Sequence, residues 1–167
     1  MKFPAACYIA VAVSLTGVCE AVAFEPTSFP PSRSAVKALV IEEARRSNVP
    51  VALALAMAHV ESAFNSRAKS YAGARGVMQI MPETALTECG IGADLLWHPR
   101  VNIRLGLHFM DRLIKQYRGR VDLALSHYNG GSAVGKWPKS RVIPATRNYV
   151  NNVQRLQRFY RDQLQGR

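Results

Sequence analysis

The chain has 167 residues and a formal net charge of +11, from 22 Lys and Arg against 11 Asp and Glu. This length is enough for one ordinary domain with a buried core and leaves no room for a second. The positive charge predicts an anionic partner, and nucleic acid, anionic lipid and an acidic wall polymer all satisfy that requirement.

The first 23 residues have the order of a secretory signal peptide. Lys2 precedes a mostly apolar run from Phe3 to Val18, and Ala21-Val22-Ala23 follows it. The run is short for a bilayer span, so we expect cleavage after Ala23 and a periplasmic protein with no stable membrane insertion. A lipid anchor on Cys19 is the alternative, but Val18 stands where such signals usually carry a small residue. Export makes nucleic acid an improbable partner.

Residues 24–33 are rich in Pro and Ser and are expected to be an extended leader, which leaves 34–167 as the folded domain. Cys7 and Cys19 fall in the predicted signal, so the processed chain keeps Cys89 alone and cannot form an internal disulfide. We expect Cys89 to be buried.

Apolar residues then recur at helical spacing along the rest of the chain. Helices are predicted from near Ser34 to Ala44, over Val51–Ser62, from Pro82, and over Val101–Tyr117, Val121–Tyr128 and Tyr149–Leu164. The helix Val51–Ser62 is apolar almost all round and belongs at the centre of the domain. Alternating strand patterns are absent, which predicts a single all-α domain.

Glu61 is the unusual residue of that central helix. Leu53, Ala54 and Met57 share its face, so its carboxyl is predicted to be poorly hydrated. Burial raises the pKa of a carboxyl, as a general acid near neutral pH requires. An isolated Glu in the last turn of a helix is nevertheless more often a surface residue.

The residues around and after Glu61 carry a resemblance to a known family. The relevant blocks are Glu61-Ser62-Ala63-Phe64-Asn65, Gly73-Ala74-Arg75-Gly76-Val77-Met78-Gln79-Ile80-Met81-Pro82-Glu83-Thr84-Ala85, Tyr128-Asn129-Gly130-Gly131 and Ile143-Pro144-Ala145-Thr146. They are similar, in order and spacing, to the signature of the soluble lytic transglycosylases, relatives of goose-type lysozyme. The resemblance implies a lysozyme-like helical domain with a substrate groove.

The resemblance also implies roles for individual residues. Glu61 matches the catalytic acid, and Ser62 matches a neighbour that hydrogen-bonds near the departing sugar. Met78 and Gln79 match residues that contact the glycan, and Tyr128 with Asn129 matches a pair facing N-acetylmuramic acid. Simpler interpretations stay open, since Met78 is compatible with a core position and Tyr128-Asn129-Gly130-Gly131 with a helix stop.

Two positions depart from the family pattern. Gly130 stands where Ala is common, which frees the backbone, and Ala145 stands where the family often has a supporting Glu. We expect the second change to alter support of the site or substrate preference, and not to abolish activity.

No cofactor is predicted. His59, His98, His108 and His127 lack the spacing of a metal site, and no nucleophile motif surrounds a Ser or Cys. Basic residues are not interleaved with aromatic ones, which argues against a nucleic-acid surface.

The resemblance implies a peptidoglycan lytic transglycosylase that leaves 1,6-anhydro-N-acetylmuramic ends. A goose-type lysozyme that hydrolyses the same bond is one alternative, and a non-catalytic wall-binding component of a secretion apparatus is the other. By analogy, the small size fits the specialised enzymes that accompany secretion, conjugation or pilus machinery.

Overall fold

The computed structural model describes residues 30–166, and the predicted signal peptide and most of the predicted leader lie outside this range. Within it the chain is helical, with two isolated β-bridges and no strand, so the all-α prediction is confirmed. The α-helices are α1 (Arg33–Arg45), α2 (Val51–Ser62), α3 (Pro82–Cys89), α4 (Pro99–Gln116), α5 (Val121–Gly130) and α6 (Arg147–Leu164). Short 3-10 segments cover Ala93–Trp97, Gly131–Val134 and Pro144–Thr146.

Helix α1 begins at Arg33, one residue inside the predicted leader. The Ser32 side chain accepts a hydrogen bond from the Ala35 N–H, which satisfies one of the free donors at the helix start. Helix α4 begins two residues earlier than predicted because Pro99 occupies its first position, where proline needs no N–H partner.

Helix α2 lies at the centre of the fold, as its composition predicts. Residues 52–58 are all buried, and the helix packs against α1 on one side and lengthwise against α6 on the other. The left-handed backbone of Ala63 and Phe64 (φ 49° and 63°) ends the helix, and the Phe64 N–H bonds back to the Ala58 carbonyl. This sharp turn places Glu61 in the last turn of a buried helix, at the point where the chain leaves the core.

A buried carboxylate ties α1 to α4. Glu43 is 3 % exposed and pairs with Arg100 and Arg104 of α4 and with Arg46, the residue that follows its own helix. Burial alone raises the pKa of a carboxyl, but the hydrogen bonds from Arg104 and Arg100 outweigh it and hold the pKa of Glu43 below its usual value. A buried charge is tolerated when it is paired in this way.

The sequence predicts a buried Cys89. In the structure Cys89 is only partly buried and packs at the edge of the core, so this prediction is wrong. Among residues 30–166, none of the helices combines the length and the apolar character that crossing a membrane requires.

Candidate active site

The Glu61 carboxyl lies in a poorly hydrated position and accepts one strong hydrogen bond. Burial raises its pKa from 4.5 to about 7, and a hydrogen bond from the Tyr149 hydroxyl, 2.6 Å from Oε1, acts in the opposite direction. The carboxyl is therefore about half protonated at neutral pH. A group in this state is able to give a proton and later to take one back.

Tyr149 comes from the first turn of α6, 88 residues after Glu61. Burial first, and then the charge of Glu61, raises the pKa of Tyr149 well above its usual value, so its hydroxyl stays a hydrogen-bond donor. From the sequence Tyr149 is predicted only as the start of the last helix, and its contact with Glu61 is not predicted. The available signal is that Tyr149 shares the buried face of α6 with Val153, where a hydroxyl needs a partner.

Three side chains from three helices hold the backbone of residues 77 and 78 beside Glu61. Ser62 Oγ donates to the Val77 carbonyl (2.8 Å), Tyr128 Oη donates to the Met78 carbonyl (2.9 Å), and Asn102 Oδ1 accepts from the Met78 N–H (2.7 Å). Ser62 and Tyr128, predicted separately from the sequence, thus meet on one short segment. This segment forms a shared support next to the carboxyl.

Asn102 fills the centre of that support with no exposed surface. Its Nδ2 donates to the carbonyls of Arg75 (2.8 Å) and Leu96 (3.0 Å), so every hydrogen-bonding atom of the amide except one oxygen lone pair has a partner. A Cβ at Gly76 would lie 2.4 Å from Asn102 Nδ2, which explains why glycine is needed there.

The Met78 side chain is fully buried and packs against Gly106 of α4. If residue 106 had a Cβ, that atom would lie only 2.6 Å from the Cβ of Met78. The structure therefore gives this side chain a core position, and the part of Met78 that faces Tyr128 is its carbonyl. A side-chain contact with glycan requires Met78 to move, because no atom of it is exposed.

Gln79 and Asn129 have different surroundings. Gln79 has a left-handed backbone (φ 48°), and its Nε2 donates to the carbonyls of Ala68 and Gly76. Asn129 is exposed near the end of α5, two residues before Gly131, whose φ of 74° favours glycine. Gln79 thus braces its own loop, while Asn129 is open to solvent.

The three Asp carboxylates considered as activators of water are each engaged with a basic side chain. Asp111 bonds Lys115 and also Asn48, which precedes α2, so it lies near the end of that helix opposite to Glu61. Asp122 bonds Arg120 at the start of α5, whereas Tyr128 is near its end. Asp94 is fully exposed and lies 3.4 Å from Arg75.

A cleft of about 410 Å³ lies away from this chemistry. Its lining includes Glu43, Asn48, Arg104 and Asp111, which places it beside the N-terminal end of α2. The 12 residues of α2 separate it from Glu61, about 18 Å at the rise of an α-helix. We therefore assign the chemistry to Glu61 and not to this cleft. The described residues contain no group of three or more His, Cys, Asp or Glu suited to a metal ion.

The sequence profile described as the Transglycosylase SLT domain matches residues 38–150. The chain belongs to this family. The soluble lytic murein transglycosylase of Salmonella typhimurium is 30% identical over 138 residues, which cover 70% of this chain and 21% of the relative. A putative soluble lytic murein transglycosylase of Haemophilus influenzae is 34% identical over 134 residues, which cover 68% of this chain and 22% of that relative.

Solved structures agree with the sequence relatives. An inactive mutant of the lytic transglycosylase Slt from Pseudomonas aeruginosa superposes with a TM-score of 0.66 at 30% identity, over 77% of this chain and 24% of that one. The 70 kDa soluble lytic transglycosylase of Escherichia coli has a TM-score of 0.66 at 28% identity, and the match covers 76% of this chain and 24% of that protein. The lysozyme-like helical fold is thereby confirmed. The chain spans between a fifth and a quarter of the length of these proteins.

The position of Gly130 in this transglycosylase domain has a packing reason. Its φ is −119°, which other residues adopt readily, but a Cβ there would lie 2.6 Å from Thr146 Cγ2 and 2.9 Å from Ile143 Cδ1. Glycine here allows residues 143–146 to approach α5, a packing reason that the sequence does not predict.

The same approach is fixed by a buried hydroxyl pair. Ser126 Oγ lies 2.7 Å from Thr146 Oγ1 and accepts from the Ile143 N–H. Ala145 itself is exposed. The segment that carries Ala145 is therefore held in place by its neighbours, without a carboxylate at this position.

Proposed function

We propose that this transglycosylase domain cleaves the β-1,4 bond between N-acetylmuramic acid and N-acetylglucosamine in peptidoglycan. The observation that carries the proposal is the Glu61 carboxyl, with a pKa raised to about 7 by burial and a fixed orientation against Tyr149. The relatives are named lytic murein transglycosylases, and the inactive mutant of the Pseudomonas aeruginosa protein replaces a Glu by Gln. A single essential carboxyl fits both findings.

The proposed reaction uses Glu61 twice. Protonated Glu61 gives its proton to the glycosidic oxygen, the bond from that oxygen to C1 breaks, and N-acetylglucosamine leaves with a hydroxyl. The N-acetyl oxygen of the muramic sugar stabilises the positive charge at C1. The Glu61 carboxylate then takes the proton of the C6 hydroxyl of the same sugar, and that oxygen closes onto C1. The product is a 1,6-anhydro end, Glu61 regains its proton, and no water is consumed.

Hydrolysis of the same bond, as in goose-type lysozyme, needs a group that activates water. Glycosidases generally use a second carboxylate for this purpose. In the described part of the chain Asp94, Asp111 and Asp122 are each engaged with a basic side chain. Asp111 lies near the end of α2 opposite to Glu61, and Asp122 lies at the end of α5 opposite to Tyr128. The intramolecular C6 hydroxyl is therefore the acceptor we favour.

The remaining site residues receive roles consistent with their positions. Ser62 and Tyr128 position the backbone of residues 77 and 78, and Asn129 is exposed where it is able to reach the muramic sugar. Gln79 braces its own loop, and Met78 supplies its carbonyl and its buried bulk.

The setting of the reaction is also a proposal. Residues 1–23 as a cleaved signal peptide, followed by a leader over 24–33, place the domain in the periplasm, where the wall polymer is accessible. We further propose, by analogy with specialised enzymes of this kind, that it opens the wall locally for a secretion, conjugation or pilus apparatus.

The test is digestion of purified sacculi, followed by mass spectrometry of the soluble products. The wild-type protein is expected to release muropeptides with 1,6-anhydro ends, each lighter by one water than a hydrolysed end. Glu61→Gln is expected to fold and to lose about 10²–10⁴-fold in rate, because the amide cannot give the proton. Glu83→Gln, which removes an exposed carboxylate from α3, is the control and should retain activity. Reducing ends in place of anhydro ends would identify a hydrolase.

A further inference from the structure

The side-chain amide of Asn102 has no exposed surface, and all three of its hydrogen bonds are with backbone groups of other segments. Its Oδ1 accepts from the Met78 N–H, and its Nδ2 donates to the carbonyls of Arg75 and Leu96. Only a side-chain amide combines an acceptor oxygen with two N–H donors in one neutral group. Asn102 therefore fixes the backbone at Met78 relative to α4.

The carbonyl of Met78 in turn holds the hydroxyl proton of Tyr128. Tyr128 Oη lies 2.9 Å from the Met78 carbonyl oxygen and donates to it. A tyrosine hydroxyl has one proton and donates one hydrogen bond at a time. While the Met78 carbonyl accepts this proton, Tyr128 has none to give to Glu61.

Glu61 is the acceptor that competes with this carbonyl. Burial first, and then the charge of Glu61, raises the pKa of Tyr128 well above its usual value, so the two side chains interact electrostatically. Tyr149 from α6 is the other titratable group that faces Glu61, and it donates to Oε1. No basic side chain among residues 30–166 forms a salt bridge with Glu61. A second hydroxyl donor would favour the carboxylate form, which has no proton for the acid step.

We infer that Asn102 is a positioning residue for the acid step, because it holds the Met78 carbonyl where that carbonyl keeps the Tyr128 hydroxyl proton away from Glu61. The inference rests on the proposed function, in which Glu61 first gives a proton to the glycosidic oxygen. Asn102 has no exposed surface and acts through Met78 and Tyr128.

The test measures the protonation of Glu61 directly and does not depend on activity. In protein labelled with ¹³C at the Glu carboxyls, an NMR titration between pH 4 and 9 follows the Glu61 signal, which is assigned by its absence from Glu61→Gln. The wild-type midpoint is expected at about pH 7. In Asn102→Ser the shorter hydroxyl cannot bridge the three backbone groups, so the Tyr128 proton is free to turn to Glu61. The midpoint should then fall by roughly one pH unit.

Two further variants separate this effect from a general loosening of the site, which would also lower the midpoint by admitting water. Tyr128→Phe alone should leave the midpoint in place, and combined with Asn102→Ser it should prevent the fall. Glu43→Gln breaks the buried ion pairs between α1 and α4, beside the opposite end of α2. It controls for lost stability and should not move the midpoint.

A folded Asn102→Ser protein with an unmoved midpoint would overturn the inference. An equal fall in the double variant would also overturn it, because the Tyr128 hydroxyl would then not be the cause. Should Asn102→Ser not fold, Tyr128→Phe alone decides: an unmoved midpoint supports the inference, and a raised one would show that Tyr128 already donates to Glu61. Failure of the proposed function appears separately, as absence of anhydro products from the wild-type digest.

Discussion

Two opposing effects set the protonation of Glu61. Burial favours the neutral acid, and the Tyr149 hydroxyl favours the carboxylate by donating to Oε1. The acid step of the proposed reaction needs the first form and the base step needs the second. A pKa of about 7 gives both forms comparable populations at neutral pH, so Tyr149 acts as a positioning residue that also adjusts this balance.

Tyr149→Phe should therefore change the pH profile as well as the rate. Without the hydroxyl the pKa of Glu61 rises further, the acid keeps its proton at higher pH, and the alkaline limb of activity should move up by roughly one pH unit. The maximal rate should fall because the carboxyl loses its fixed orientation. Clearing of cell-wall suspensions between pH 5 and 9 measures both effects.

Tyr160→Phe is the matched control. Its hydroxyl bonds His59 on the same pair of helices but does not contact Glu61, so the alkaline limb should stay in place. A Tyr149→Phe protein with a lower rate and an unmoved limb would contradict the assigned effect on the pKa.

The junction between α4 and the loop before α3 sets the position of the site's backbone. Met78 packs directly on Gly106, and Asn102, one turn earlier in α4, binds the Met78 N–H and the Arg75 carbonyl. These contacts come from one face of α4. The helix therefore determines where the Met78 carbonyl meets Tyr128.

Gly106→Ala tests this junction. In an exposed helix interior the change normally stabilises a protein by about 1 kcal/mol, but here the new methyl would lie 2.6 Å from Met78 Cβ. We expect a net loss of about 1–2 kcal/mol in the free energy of unfolding, measured by urea denaturation, together with reduced activity. Gly92→Ala is the control, because a Cβ there has open space, and it should be nearly neutral. A stabilised Gly106→Ala protein would show that the loop carrying Met78 shifts at little energetic cost to make room for the methyl group.

Helix positions could be predicted because each depends on residues close together in the chain. The apolar run and its stop signals fix Val51–Ser62 at both ends, and the observed helix has the same bounds. The role of Asn102 could not be predicted, since its partners Arg75, Met78 and Leu96 depend on how a loop folds against α4. The packing reason for Gly130 could not be predicted either, because its neighbours Ile143 and Thr146 follow it by more than ten residues.

For the whole molecule, a buried carboxyl with a raised pKa lowers stability at high pH. Below pH 4.5 Glu61 is protonated in both the folded and the unfolded chain, so its raised pKa does not lower the free energy of unfolding. Above that value the unfolded chain releases the proton while the folded chain retains it up to pH 7, so the contribution of Glu61 to stability is lost as the pH rises.

Glu61→Gln should remove this dependence. At pH 8 we expect the variant to unfold with a free energy about 3 kcal/mol higher than wild type, and near pH 4 the two should be similar. Urea denaturation at pH 4, 6 and 8 measures the gap. For Glu83→Gln the gap should stay near zero at each pH. A constant difference between Glu61→Gln and wild type would mean that the carboxyl is hydrated in the folded protein.

The contact between Tyr149 and Glu61 also has a consequence for the order of events during synthesis. Glu61 is made 88 residues before Tyr149, and α6, which covers α2, is the last helix of the described chain to be made. Until α6 docks, we expect the Glu61 carboxyl to be more hydrated and therefore mostly ionised at neutral pH, because burial is what raises its pKa. A nascent or unfolded chain therefore has no proton to give to a sugar. On the proposed mechanism, docking of α6 would be the step that completes the site.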